Sequence, residues 1–189
     1  TEVIVEHFNA FTRHKIGGRA KAMVVTSSRL EAVRYKQSFD RYIQEKGYPI
    51  RTLVAFSGTV QDDKVDGVTY TEEGMNPGVR EKELPEKFSS QEYQVLLVAE
   101  KYQTGFDQPL LHTMYVDRRL AGIQAVQTLS RLNRIHPLKE DTFVLEADGP
   151  IFAPAAEFLK WKPDTTDADS PTLKALRLHQ ELLAFHLKD

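Results

Sequence analysis

The chain has 189 residues, 41% of them hydrophobic and 28% charged, which describes a folded globular protein of one large domain, or of one ordinary domain with an appendage. No apolar run approaches the roughly 18 residues of a membrane helix, the amino terminus lacks a secretory layout, and the absence of cysteine excludes disulfides, thiolate catalysis and cysteine-ligated zinc. The formal net charge is -2, yet ten Lys/Arg face three acids between Phe11 and Arg51, and ten acids face four bases between Gln61 and Glu100. Such a basic block attracts phosphates locally, since exposed charges act mainly within a Debye length of about 8 to 10 Å; a solvated helix face has the same composition.

Ala22 to Thr26 (AMVVT) is a short β-branched apolar run and predicts the first strand. Ser28 and Glu31 then have capping-box spacing, and Gly47 after Lys46 is a natural stop, so a helix of about five turns is predicted between them. Its apolar stripe is Ala32, Tyr35, Phe39 and Tyr42. Arg51 to Phe56 (RTLVAF) predicts the second strand, and the Gly-, Asp-, Thr- and Asn-rich stretch from Ser57 to about Gly78 predicts an excursion outside the core. A charged helical piece follows to Phe88. Gln94 to Ala99, His112 to Val116 and Thr142 to Leu145 predict the third, fourth and fifth strands, with helical periodicity from Gly122 to Arg134. Strands alternating with helices predict an α/β fold with a mostly parallel sheet flanked by helices.

The character changes after about Glu146, where prolines and a Thr/Asp cluster at 164–169 predict a linker, and Ser170 with Pro171 opens a Leu-rich amphipathic helix over 172–187. The expected organisation is therefore one domain over 1–146 and a linker with a helical C-terminal appendage over 147–189.

In the helix expected at 122–134, steps of about 100° place Gln124, Gln127, Arg131 and Arg134 within an arc of about 80°, opposite Ala121, Ala125, Val126, Leu129 and Leu132. Arginine suits phosphate because its planar guanidinium offers a rigid fork of donors and stays charged. The surrounding wording adds to this. QTLSRLNR (127–134) resembles the sixth motif of superfamily 2 helicases, Gln-x-x-Gly-Arg-x-x-Arg, with Ser130 in the glycine place. LLVAEKYQTGFDQP (96–109) resembles the fifth motif, ending in Gly105 and Asp107, and AMVVTSSRLEAV (22–33) resembles the fourth. Together with VAFSGTV, YTEEGMN, KYQTGFDQPLL and His136–Pro137, these segments resemble the motor region of the restriction (R) subunit of type I restriction-modification enzymes over about residues 1–146.

That resemblance implies a RecA-like fold, the second of two motor domains in an ATP-dependent translocase of double-stranded DNA. It implies Arg134 as an arginine finger and Arg131 as its companion, both reaching ATP with Mg2+ held mainly by a first motor domain, with Gln127 in the same nucleotide-facing set. Gly105 and Asp107 would sit in the loop that couples nucleotide state to DNA grip, and Ser27, Ser28 and Arg29 would meet the DNA backbone, where a helix N-terminus offers free N–H groups. Ser28 also fits a plain helix cap, and Gly105 with Asp107 a plain turn. The implied partners are double-stranded DNA, the first motor and nuclease domains of the same subunit, and the modification and specificity subunits; no membrane partner and a cytoplasmic location are expected. Glu100 departs from the family, standing where many members carry a nucleic-acid-touching Thr.

No glycine is followed by lysine and there is no Asp-Glu dipeptide, so a phosphate loop and an acidic metal motif are missing, as is a recognisable nuclease site. The chain alone is not expected to turn over ATP, which agrees with a segment of something longer that begins at Thr1. The six histidines have no metal-ligand spacing, and no metal site is expected. Gly17 and Gly18 before Arg19 read as a turn. Two alternatives remain: a non-catalytic DNA-binding or regulatory module derived from a helicase domain, and a related superfamily 2 DNA helicase.

Overall fold

Five strands of the computed structural model share one sheet in which every pairing is parallel, in the order β2-β5-β1-β6-β7. The structure describes residues 1–65, 67–102, 106–117 and 127–146. In chain order the elements are α1 (Glu2–Ala10), a short turn α2 (Lys15–Gly18), β1 (Lys21–Val25), α3 (Arg29–Lys46), β2 (Thr52–Ala55), a hairpin of β3 (Thr59–Gln61) and β4 (Thr69–Thr71), α4 (Glu72–Met75), α5 (Leu84–Ser89), β5 (Val95–Val98), β6 (Leu111–Val116) and β7 (Phe143–Glu146). The expected α/β class, a mostly parallel sheet flanked by helices, is what the chain adopts. The linker and helix expected over 147–189 lie outside the described residues.

Every residue of β1, β2, β5 and β6 is buried, as a sheet covered on both faces requires. Because side chains alternate across a strand, Ala22 and Val24 join Val54, Leu97 and Tyr115 under α1 and α3, whereas Met23 and Val25 join Leu53, Leu96 and Met114 under α5. Helix α3 is set by local chemistry. The Ser28 side chain accepts from the Glu31 N–H at 3.1 Å, and Gly47 closes the helix at φ 67° in the left-handed region that favours glycine. Of the expected stripe, Ala32 and Phe39 are fully buried and Tyr35 and Tyr42 pack at the margin. Burying a side chain such as Phe39 contributes about 1.5–3 kcal/mol, and Phe39→Ala, which also leaves a cavity, is expected to cost about 3–5 kcal/mol.

Helix α1 was not expected from the sequence. It buries Val5, His7 and Phe8, and His7 Nδ1 lies 2.7 Å from the Tyr115 hydroxyl of β6. Its Glu6 carboxylate accepts from Tyr42 at 2.6 Å and from Tyr48 at 3.0 Å, tying α1 to α3 and the residues after it.

The 57–78 stretch is the predicted excursion, and it closes the sheet. Strand β2 is one of the two edges, and polar groups along it are taken by side chains of the i and i+4 positions of the α4 segment. Asn76 accepts from Val54 N–H at 2.9 Å and donates to Val54 C=O at 2.7 Å, while Glu72 accepts from Phe56 N–H at 2.8 Å. An edge so occupied cannot pair with another strand.

Candidate functional site

Three of the strands end beside segments singled out in the sequence. After β1 come Ser27 and Arg29, both exposed, and Ser28, which is half-buried and serves as the helix cap. Arg29 donates to the Ser57 carbonyl at 3.0 Å, in the turn that follows β2. Gly58 makes this approach possible: its φ is +76°, and a Cβ there would stand 3.3 Å from the Arg29 guanidinium. Among the described residues Arg29 has no carboxylate partner, in contrast to Arg34, which is held by Asp62 at 2.8 Å and Glu31 at 3.2 Å. Part of the basic block, namely Lys15, Arg34, Lys36 and Arg51, is paired with carboxylates, whereas Arg29 at the start of an 18-residue helix is a cation left facing solvent.

After β5 the chain enters the second segment through Glu100 and Tyr102, whose φ angles of 57° and 62° are left-handed although neither is glycine. Such residues cost of order 1–3 kcal/mol each and persist where the surroundings fix them. Lys101 between them provides the anchor. Its ammonium meets Glu72 at 2.8 Å and Glu81 at 2.6 Å, with the Glu72 side chain only 6% exposed. Burial pushes the Glu72 carboxyl above its ordinary value against the pull of Lys101 and the Phe56 N–H. Tyr102 and Phe106 then pack against the Phe88 side of the sheet. Asp107 follows Phe106, ahead of β6. Gly105 lies outside the described residues.

Arg131 and Arg134 both engage this Phe106–Asp107 stretch. Arg131 donates to the Phe106 carbonyl at 3.1 Å, and Arg134 Nε pairs with Asp107 Oδ1 at 2.7 Å. Leu132 between them is buried in the same cluster as Phe106. The pair is open to solvent, with side-chain exposures of 45% for Arg134 and 70% for Asp107.

One sequence expectation needs correction here. The helix does not run regularly to Arg134: 127–129 are helical, Ser130–Asn133 is a 3₁₀ turn, and Arg134 is extended at φ -78°, ψ 129°. The common arc of Gln127, Arg131 and Arg134 is therefore not formed, and Gln124 lies outside the described residues. The causes are local. Ser130 donates its hydroxyl back to the Gln127 carbonyl at 2.9 Å, which competes with helix geometry, Pro137 follows, and Lys139 caps the Leu132 and Arg134 carbonyls. Gln127 itself is exposed.

Comparison with known proteins gives this arrangement a setting. Residues 69–143 match the family model of type I restriction enzyme subunit R domain 3, a span that holds Asp107, Arg131 and Arg134. Three proteins of Methanocaldococcus jannaschii, named as the endonuclease subunits of type I restriction enzymes MjaVIIP, MjaVIIIP and MjaIXP, are 30%, 31% and 31% identical to it over 68%, 68% and 77% of this chain. This chain is related to the R subunit of type I restriction enzymes. It spans 13% of the length of each of those R-subunit relatives. Among solved structures, the C-terminal part of the Fun30 ATPase domain is similar over 87% of this chain and 46% of that one, with a TM-score of 0.47 and 9% identity. The R-subunit match begins at β4, so Ser27, Ser28 and Arg29 fall outside it.

Sequence reasoning missed Ser57, Glu72 and Lys101. Ser57 was signalled by the Ser-Gly turn after a strand. A buried pair such as Glu72 and Lys101 has no local signature.

Proposed function

We propose that this R-subunit segment is the second motor domain of an ATP-dependent translocase of double-stranded DNA. It would work with a first motor domain, a nuclease domain, and modification and specificity subunits. The observation that carries this reading is the pairing of Arg134 with Asp107, beside the bond from Arg131 to the Phe106 carbonyl, which joins the two segments resembling helicase motifs.

The arginines fit a nucleotide phosphate. An exposed ion pair is worth only about 0–1 kcal/mol, so Arg134 can leave Asp107 for a stronger anion at little cost. Its guanidinium offers several donors in one plane. Arg131, bonded to a backbone carbonyl, would hold the turn in place while Arg134 exchanges partners. ATP bound against this face supplies the phosphoryl group to be transferred. Arg134 would stabilise its developing charge, an effect that reaches about 10³ to 10⁵ in rate for such fingers. Release of Asp107 would then report nucleotide state along 99–108 to the ends of the strands. There Ser27, Arg29 and the N–H groups at the start of α3 would meet DNA phosphates, with Ser28 as cap.

The test is DNA-stimulated ATP hydrolysis by the complete subunit carrying this segment, with Arg134→Ala and Arg29→Ala compared in turnover and in DNA binding. Arg134→Ala should lower turnover and spare binding, and Arg29→Ala should weaken DNA binding while sparing turnover at saturating DNA. Unchanged turnover in Arg134→Ala would favour a non-catalytic DNA-binding module instead.

A further inference from the structure

The amino-terminal ends of β1, β2, β5 and β6, opposite the end that carries Ser27 and Arg29, surround a pocket of about 470 Å³. Arg13, Arg19 and Lys21 line it, and no Asp or Glu does. Several other cations of this fold are matched: Lys15 with Asp141 at 3.0 Å, Arg34 with Asp62 at 2.8 Å, Lys101 with Glu72 at 2.8 Å. The three pocket cations have no carboxylate partner among the described residues. Arg13 donates to the neutral Asn9 Oδ1 at 2.6 Å, and Arg19 stands 3.5 Å from His136 Nε2.

Lys21 is the most telling of the three. It opens β1, is 2% exposed, and donates to the Ser90 carbonyl at 2.7 Å and the Tyr93 carbonyl at 2.5 Å, with its ammonium 5.0 Å from the centre of the Phe88 ring. Burial lowers its pKa to about 8. An ammonium held out of water with only neutral acceptors is costly, and an anion in the adjoining pocket relieves that cost. The backbone arranges the rest. Ile16, Gly17 and Gly18 run through the left-handed region at φ 52°, 63° and 78°, reversing the chain so that Arg13 before the turn and Arg19 after it line one cavity. A Cβ at Gly18 would meet nothing within 4 Å, so the glycine there serves the turn's conformation and the space beside it is open.

We propose that this pocket is a phosphate-binding site, distinct from Arg131 and Arg134, in which the forks of Arg13 and Arg19 and the charge of Lys21 hold a phosphate group presented either by a small phosphate compound or by a nucleic-acid strand. Two guanidinium forks match the oxygens of phosphate better than a single carboxylate. The volume lies within the range of about 300–1,000 Å³ usual for small-ligand sites.

The experiment is titration of the full chain with inorganic pyrophosphate by calorimetry, and with a short fluorescein-labelled single strand by anisotropy. It compares wild type, Arg13→Gln/Arg19→Gln and Arg131→Gln/Arg134→Gln. Pyrophosphate affinity should fall about tenfold or more, which is ~1.4 kcal/mol, in the Arg13/Arg19 variant and persist in the Arg131/Arg134 variant. Arg19 is exposed, so Arg19→Gln alone gives the same comparison if the double variant unfolds. Pyrophosphate binding without strand binding identifies a small phosphate compound as the source. Strand binding that pyrophosphate displaces in wild type, and that the Arg13/Arg19 variant loses, identifies nucleic acid. Binding of neither probe, or binding unchanged in the Arg13/Arg19 variant, overturns the site. Loss only in the Arg131/Arg134 variant overturns it too, while leaving the motor reading intact.

Discussion

Arg134 and Asp107, far apart in sequence, meet at 2.7 Å, and both side chains remain open to solvent. Exposure makes this a contact of position and not of stability. Asp107→Asn is expected to change unfolding free energy by less than about 1 kcal/mol, read from urea midpoints. A loss of several kcal/mol would mean that the pair holds the fold together and is not free to exchange with phosphate.

Glu72 and Lys101 present the opposite case, since their side chains are 6% and 14% exposed. Glu72→Ala would leave the Lys101 ammonium with only Glu81 and the Phe56 N–H without its acceptor. Breaking a buried pair in this way costs about 3–5 kcal/mol. Urea unfolding should show that loss, and limited proteolysis should show earlier cutting near residues 100–102. A variant as stable as wild type would remove Lys101 as the anchor of this loop.

Asn76 guards the sheet edge through two bonds to Val54. Asn76→Ala strands a buried N–H and a buried C=O, each costing about 1–3 kcal/mol. It also opens a parallel edge to other strands, so the variant should be less stable in urea and should aggregate sooner at equal protein concentration. Equal aggregation rates would show that the edge is covered by other means.

Acid should weaken the contact between α3 and the β3–β4 hairpin. Asp62 accepts from Arg34 at 3.1 and 2.8 Å and from the Lys64 N–H at 3.0 Å, and these bonds lower its pKa from 3.8 to about 2. The folded value lies below the unfolded one, so the stabilisation is complete above about pH 4 and is lost as pH falls through about 2. Asp62→Asn should be less stable than wild type at neutral pH and should lose less stability between pH 4 and pH 2. Parallel acid limbs in the two proteins would contradict this assignment.

How much of this was readable beforehand depended on how local each signal is. Ser28 and Gly47 bounded α3 correctly because a cap and a left-handed stop act within one turn of chain, and the five strands declared themselves as apolar runs. Helix α1 was missed because its N-cap, Thr1, makes no side-chain cap bond and one of its buried positions is His7. The irregular end at Ser130–Arg134 was missed because periodicity does not register a hydroxyl turning back on its own helix. Asn76 and Glu72 could not be read at all: a polar side chain closes a sheet edge only once strand order has decided which strand is the edge. For the candidate site, the sequence pointed to Asp107, Arg131 and Arg134 through resemblance, while the contacts that join them, Arg134 to Asp107 and Arg131 to the Phe106 carbonyl, form only in the folded chain.

The central claim is that Arg134 serves a nucleotide phosphate, and the most direct measurement is DNA-stimulated ATP hydrolysis by the complete subunit with Arg134→Ala, with DNA affinity and unfolding midpoint measured on the same protein. The account predicts turnover lower by about two orders of magnitude or more, with affinity and midpoint close to wild type. Turnover equal to wild type would contradict it and leave Arg134 as a surface partner of Asp107.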